Sequence, residues 1–151
     1  MERANIDRSG DEQYMRMALS EALDAYEADE VPVGAVVVLH GRVIARGHNL
    51  TETLHDVTAH AEMMAITAAA NGLGAKYLTD CTLYVTLEPC LMCAGAIMHS
   101  QISRLVFGAS DPKRGYSTVK ADLFPKNFRV EKGVLEPECA QILKDFFKGK
   151  R

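Results

Sequence analysis

Apolar and polar positions along the chain switch between helical and strand periods, and the switches outline an alternating order of elements. Tyr14, Ala18, Leu19, Ala22, Leu23 and Tyr26 recur at helical spacing, with Glu21, Asp24 and Glu27 on the other side. That pattern predicts a covering helix from Asp11 onward. The residues before it are polar and read as a flexible tail over 1–10. Val31-Pro32-Val33-Gly34 interrupts the helix, and Ala35 to Leu39 is an unbroken apolar run, as in a strand buried on both faces. His40-Gly41 is a tight-turn signal, so Arg42 to Gly47 is the second strand of a hairpin and His40 a solvated turn residue. A polar loop, Leu50 to Val57, carries His55 and Asp56. A helix rich in Ala and Met follows over 59–72. It is apolar nearly all round and is expected to lie buried between layers.

Cys81 to Leu87 alternates and is rich in β-formers, which predicts a third strand. A helix from Cys90 through Ala94, Ile97 and Met98 leads to a fourth strand, Ser103 to Phe107. Strand, helix and strand in succession imply a right-handed parallel crossover. Gly108 to Lys126 is irregular and holds Asp111-Pro112-Lys113-Arg114-Gly115. A short strand, Phe128 to Glu131, precedes a closing helix, Glu138 to Lys148, with Ile142, Leu143, Phe146 and Phe147 on its apolar side. Lys148, Lys150 and Arg151 suit the negative end of that helix. The expected architecture is a three-layer α/β/α sandwich with a central five-stranded mixed sheet, in one domain over 1–151.

Composition narrows the class. The chain has 151 residues, 48% hydrophobic and 25% charged, which is ordinary for a globular domain. Its net charge of −3 excludes a globally basic nucleic-acid binder and leaves room for a local basic patch. Met1 to Asp11 lacks the apolar core of a secretory signal, and no apolar run reaches the length of a membrane span. A cytoplasmic protein with reduced thiols is expected. Cys81 and Cys139 read as buried core thiols.

Two short pieces carry the chemistry: Thr58-Ala59-His60-Ala61-Glu62 and Glu88-Pro89-Cys90-Leu91-Met92-Cys93. His60, Cys90 and Cys93 supply one imidazole and two thiols. That is a ligand set for Zn²⁺ with a fourth position left open. Glu62 could face that position and move protons to and from a water that zinc ionises near neutral pH. Pro89 suits the first turn of a helix, which makes Cys90 and Cys93 neighbours on one face near its positive end. His60 and Glu62 would open a second helix. Alone, the Cys-x-x-Cys could be a redox pair and the His-x-Glu an accident. In this order they form the signature of zinc-dependent base deaminases, with a glutamate that is not a ligand. A purely structural zinc site would want a fourth closing ligand.

The wider sequence sharpens this. Glu30-Val31-Pro32-Val33-Gly34-Ala35, Leu83-Tyr84-Val85-Thr86-Leu87-Glu88-Pro89-Cys90, Met92-Cys93-Ala94-Gly95-Ala96 and Val106-Phe107-Gly108-Ala109 accompany the metal motif, with Glu138-Cys139-Ala140 and Phe146-Phe147 in the tail. Over Tyr14 to Lys148 the chain resembles the bacterial tRNA-specific adenosine deaminases of the cytidine-deaminase-like superfamily. The resemblance implies hydrolytic deamination of adenosine to inosine at the wobble position of a tRNA anticodon loop, with one Zn²⁺ per chain and a homodimer. It implies His60, Cys90 and Cys93 as ligands and Glu62 as proton shuttle. Asn49 would bond the target base, and Pro32, Val33 and Ala59 would belong to the base pocket. Asp111, Lys113 and Arg114 would meet the RNA beside it. Lys148, Lys150 and Arg151 read either as an ordinary charged tail or as a phosphate-contacting patch. Residues 115–130 match only loosely, with Asn127-Phe128 where the resemblance leads one to expect Asn-His. Two other readings stay open: deamination of a free base or nucleoside, and a zinc-stabilised RNA-binding module without catalysis.

Overall fold

The structure, a computed structural model, describes residues 2–150, with side chains from Gly10 to Lys150. Arg151 of the basic tail lies outside the described residues. The order is α1 (Glu2–Glu27), β1 (Gly34–Leu39), β2 (Arg42–His48), α2 (Ala61–Leu73), β3 (Cys81–Leu87), α3 (Leu91–His99), β4 (Arg104–Ala109), a 3-10 turn (Tyr116–Thr118), β5 (Arg129–Lys132) and α4 (Glu136–Lys148). Each element expected from the sequence is present. The backbone of residues 2–10, read above as a tail, continues α1.

One five-stranded mixed sheet runs β2-β1-β3-β4-β5. β1 pairs antiparallel with β2 and β3, whereas β3, β4 and β5 are parallel. The hairpin turns at His40 and Gly41, both with positive φ (49° and 76°), the backbone that favours a two-residue turn matched to strand twist. One sheet face carries Val36, Val38, Tyr84 and Val106 against Met15 and Ala18 of α1 and Cys139 of α4. The other carries Val37, Leu83, Val85 and Leu105 against Ala61, Ala65 and Ala69 of α2 and Ile97 of α3. This is the three-layer sandwich.

Two helices differ in detail from their sequence patterns. In α1 the buried stripe is Met15, Ala18, Ala22 and Ala25, while Leu23 and Tyr26 are exposed. The reason is a close approach: a Cβ on Gly34 would stand 2.0 Å from the Ala18 carbonyl oxygen. Only small residues fit where α1 rests on β1, so the larger ones turn outward. α2, expected to be buried between layers, buries only Ala61, Glu62, Ala65 and Ala69 and exposes Thr67 and Ala68. Alanine is compatible with either side, so its abundance does not mark the interior.

Residues 115–130 are held by aromatic contacts. Tyr116 meets Phe107 and Phe124 edge-on, and Phe124 stacks on Phe128 with centroids 4.3 Å apart. Phe128 thus packs the sheet edge ahead of β5.

Candidate active site

Two helix N-termini on the same side of the sheet build the site. His60 is the N-cap of α2 and Cys90 the N-cap of α3, and both are extended, with φ/ψ of −74°/156° and −73°/174°. Their carbonyls start the helices by accepting from the Met64 and Ala94 amides. Neither side chain caps its own helix. N-cap side chains ordinarily accept from the first turn. Here they are free to turn toward each other. Pro89 therefore precedes the N-cap rather than sitting in the first turn, and Cys93 lies in the first turn of α3.

The imidazole Nδ1 of His60 lies 3.6 Å from Cys90 Sγ and 3.5 Å from Cys93 Sγ. A tetrahedral ion with Zn–S and Zn–N bonds of ordinary length separates such donors by about 3.6 Å. The three residues thus fit a zinc ion in donor type and in spacing. Among the described residues the other cluster of possible donors, Glu21, Asp24 and His48, has no thiol and stands on the outer side of α1 and β2. The two thiols divide their proton unequally. Cys90 is drawn down to about 4 by the hydrogen bonds of Cys93 and His60, and Cys93 is pushed up by its bond to Cys90 and by burial.

Glu62, in the first turn of α2, is 4% exposed, and burial pushes its carboxyl up to about 7. It faces a cleft of about 760 Å³ together with His60, Cys90 and Asn49. Backbone bonds from Asn49 to Val33 and from Leu50 to Ala59 set Asn49 at the cleft wall. Its Oδ1 is the one buried side-chain oxygen or nitrogen, among the described residues, that lacks a hydrogen-bond partner. An orphaned buried acceptor costs stability unless something else satisfies it.

The structure gathers most of the expected residues. Val33, Asn49, Asp111, Lys113 and Arg114 line the same cleft. Pro32 and Ala59 are buried and do not line it, whereas Val31 does. Lys150 is paired with Asp29 and lies over the Phe146 ring.

Several cleft residues were given no role in the site from the sequence, among them Thr51, Leu87, Glu88, Ser110, Leu143 and Phe147. Phe147 had a signal, because an amphipathic helix cannot bury both members of an adjacent pair. Phe146 is buried, and Phe147 remains 52% exposed at the mouth. Glu88 had one too, as a charged residue directly after a buried strand.

Fold and site together define a deaminase, and the family profile of the MafB19-like deaminases matches residues 9–151. The tRNA-specific adenosine deaminase of Bacillus subtilis (strain 168) is 50% identical over 143 residues, spanning 91% of this chain and 89% of that protein. A solved structure from work on A-to-I editing by tRNA:A34 deaminases at the wobble position of transfer RNA superposes with a TM-score of 0.79 at 48% identity. It covers 87% of this chain and 99% of its own. A guanine deaminase from Nitrosomonas europaea superposes at 0.76 with 26% identity, over 89% of this chain and 83% of its own. The chain belongs to the MafB19-like deaminase family, among its tRNA-specific adenosine deaminases.

Proposed function

We infer that this chain converts adenosine to inosine at the wobble position of a tRNA anticodon, with release of ammonia. The observation that carries the reading is the donor triangle of His60, Cys90 and Cys93 beside a buried Glu62, in a chain half identical to a tRNA-specific adenosine deaminase. His60, Cys90 and Cys93 would hold one Zn²⁺, which when bound would make water a nucleophile at neutral pH.

The residues then divide the work. Attack at C6 of adenine needs a proton on the ring nitrogen and another on the departing amine. A buried carboxyl with a raised affinity for protons is suited to relay water's two protons in turn, the first to the ring nitrogen and the second, from the hydroxyl added at C6, to the departing amine. Water adds to C6, the C6–N bond breaks, and ammonia leaves, so the reaction balances with one water consumed. Asn49 Oδ1 would bond the base, which would satisfy the oxygen now orphaned. Val31 and Val33 give the cleft an apolar wall for the ring. The target base must be unstacked to enter, and an anticodon loop offers it unpaired. Asp111, Lys113 and Arg114 stand at the mouth, where the flanking nucleotides would pass.

We propose further that two copies of the chain associate. Leu91, Met92 and Met98 are exposed on the outer face of α3, and a second copy would cover them. Light scattering that gave one chain's mass at working concentration would remove that proposal. No described helix is long and apolar enough to cross a membrane, and a cytoplasmic enzyme acting on tRNA is the reading we favour.

The deciding assay offers a stem-loop RNA with adenosine at the wobble position beside free adenosine, guanine and cytosine. Inosine in the stem-loop alone is expected. Turnover of a free base instead would place the chain with salvage deaminases of the guanine type.

A further inference from the structure

Glu88 directly follows β3 and immediately precedes the turn that presents Cys90. It is a charged residue only 4% exposed, yet it bonds none of the metal-donor side chains. Its two oxygens face the loop after β4. Oε1 accepts from the Asp111 amide at 3.0 Å, and Oε2 accepts from the Ser117 amide at 3.0 Å and the Ser117 hydroxyl at 2.7 Å. The backbone completes the attachment. The Glu88 amide donates to Ala109 and the Tyr116 amide to Pro89, and Cys90 and Gly115 form a bridge. The loop is pressed onto the carboxylate: a Cβ at Gly115 would fall 2.3 Å from it. Asp111 then passes the order on, because its Oδ1 accepts the Lys113 and Arg114 amides.

We propose that Glu88 is a positioning residue for the polynucleotide substrate. Its carboxylate ties loop 110–117 to the Cys90 turn, so that Asp111, Lys113 and Arg114 stand at a set distance from the metal donors. The flanking nucleotides are thereby held in register with the base in the cleft. Buried carboxylates with full sets of donors rigidify their surroundings, and one oxygen replaced by an amide leaves two donors facing each other. This inference rests on the reading of the cleft as an RNA-deaminating site.

The test is Glu88→Gln in the metal-loaded full chain, with Ser117→Ala as a milder companion that leaves Glu88 intact. Steady-state kinetics on the wobble stem-loop, metal content and amide hydrogen exchange are measured on each. Glu88→Gln is expected to raise KM about tenfold or more, with a much smaller fall in kcat, the pattern of lost binding rather than lost chemistry. Metal content is expected to stay at the wild-type level, and exchange across 110–117 to accelerate. Ser117→Ala should move KM and exchange in the same direction by less. A fall in kcat with KM unchanged, or a loss of metal, would make Glu88 a support for the Cys90 turn and overturn the proposal. So would wild-type exchange in 110–117 for both variants. If the wild-type chain were inert on the stem-loop, the functional reading would fall, and the exchange data would still decide whether Glu88 holds the loop.

Discussion

Glu62 at the start of α2 and Glu30 in the α1–β1 connection are both hidden from solvent, at 4% and 0% exposure, and their carboxyls are driven in opposite directions. Burial raises Glu62 to about 7, outweighing the opposing pull of its own amide, His60 and Cys93. Burial also acts on Glu30, but the Thr53 hydroxyl, the Thr53 amide and the Glu52 amide bond its oxygens and bring it below the usual value. The Thr53 hydroxyl and amide lie at 2.6 and 2.7 Å from one oxygen and the Glu52 amide at 3.1 Å from the other. A buried carboxylate with its donors supplied holds a loop. One left short of donors keeps a proton available for chemistry. Burial alone does not tell the two apart.

The largest break in this comparison removes what Glu62 is expected to serve. Cys93→Ala deletes a fully buried donor and should lose metal and deaminase activity together, by metal analysis and inosine formation. A metal-free variant with full activity would refute the donor triangle. Glu62→Gln keeps the shape and the three donors but not the proton. Metal content should be retained while the rate falls roughly 10²- to 10⁴-fold. A rate near wild type would remove Glu62 from the chemistry.

Glu30→Gln probes the other side. Turnover should change little, and stability at neutral pH should drop by about 1–3 kcal/mol, because an amide cannot accept from all three donors. The pH dependence follows from the sign of the shift. Glu30 binds its proton less tightly when folded than its ordinary 4.5, so its contribution is complete above that value. It fades as pH falls through the lower, folded value. The stability gap between wild type and Glu30→Gln should therefore shrink in acid, read from denaturation midpoints between neutral and acidic pH. A gap that held constant or widened in acid would contradict the assignment. The smallest effect belongs to Thr53→Val, which removes one donor and should cost about 1 kcal/mol. Equality with Glu30→Gln would mean that the hydroxyl alone carries the clamp.

The elements were legible because their residues obey local rules. The β1 run of valines, the His40-Gly41 turn and the spacing of Ile142, Leu143 and Phe146 are each read within a few residues. The candidate metal donors were legible for a different reason: few chemistries need His-x-Glu and Pro-Cys-x-x-Cys in one chain. α1 and α2 were harder. Their alanines look alike in sequence, and the choice of buried face follows from where Gly34 lets a helix approach the sheet. Glu88 and Glu30 were illegible as clamps because their donors sit far along the chain, at Asp111 and Ser117 and at Glu52 and Thr53.

What the sequence determined by itself was the α/β order, the candidate donor set and the family. Periodicity sets the first, ligand chemistry the second, and motifs along nearly the whole length the third. The tertiary structure decided which residues face one cleft. It brought His60 within 3.6 Å of both thiols, left Asn49 Oδ1 without a partner, put Pro32 and Ala59 behind the wall and turned Phe147 to the mouth. Those outcomes depend on the approach of segments distant in the chain. Burial and hydrogen-bond supply are properties of the packed neighbourhood, so identical glutamates become a clamped carboxylate in one place and a carboxyl with a raised affinity for protons in another.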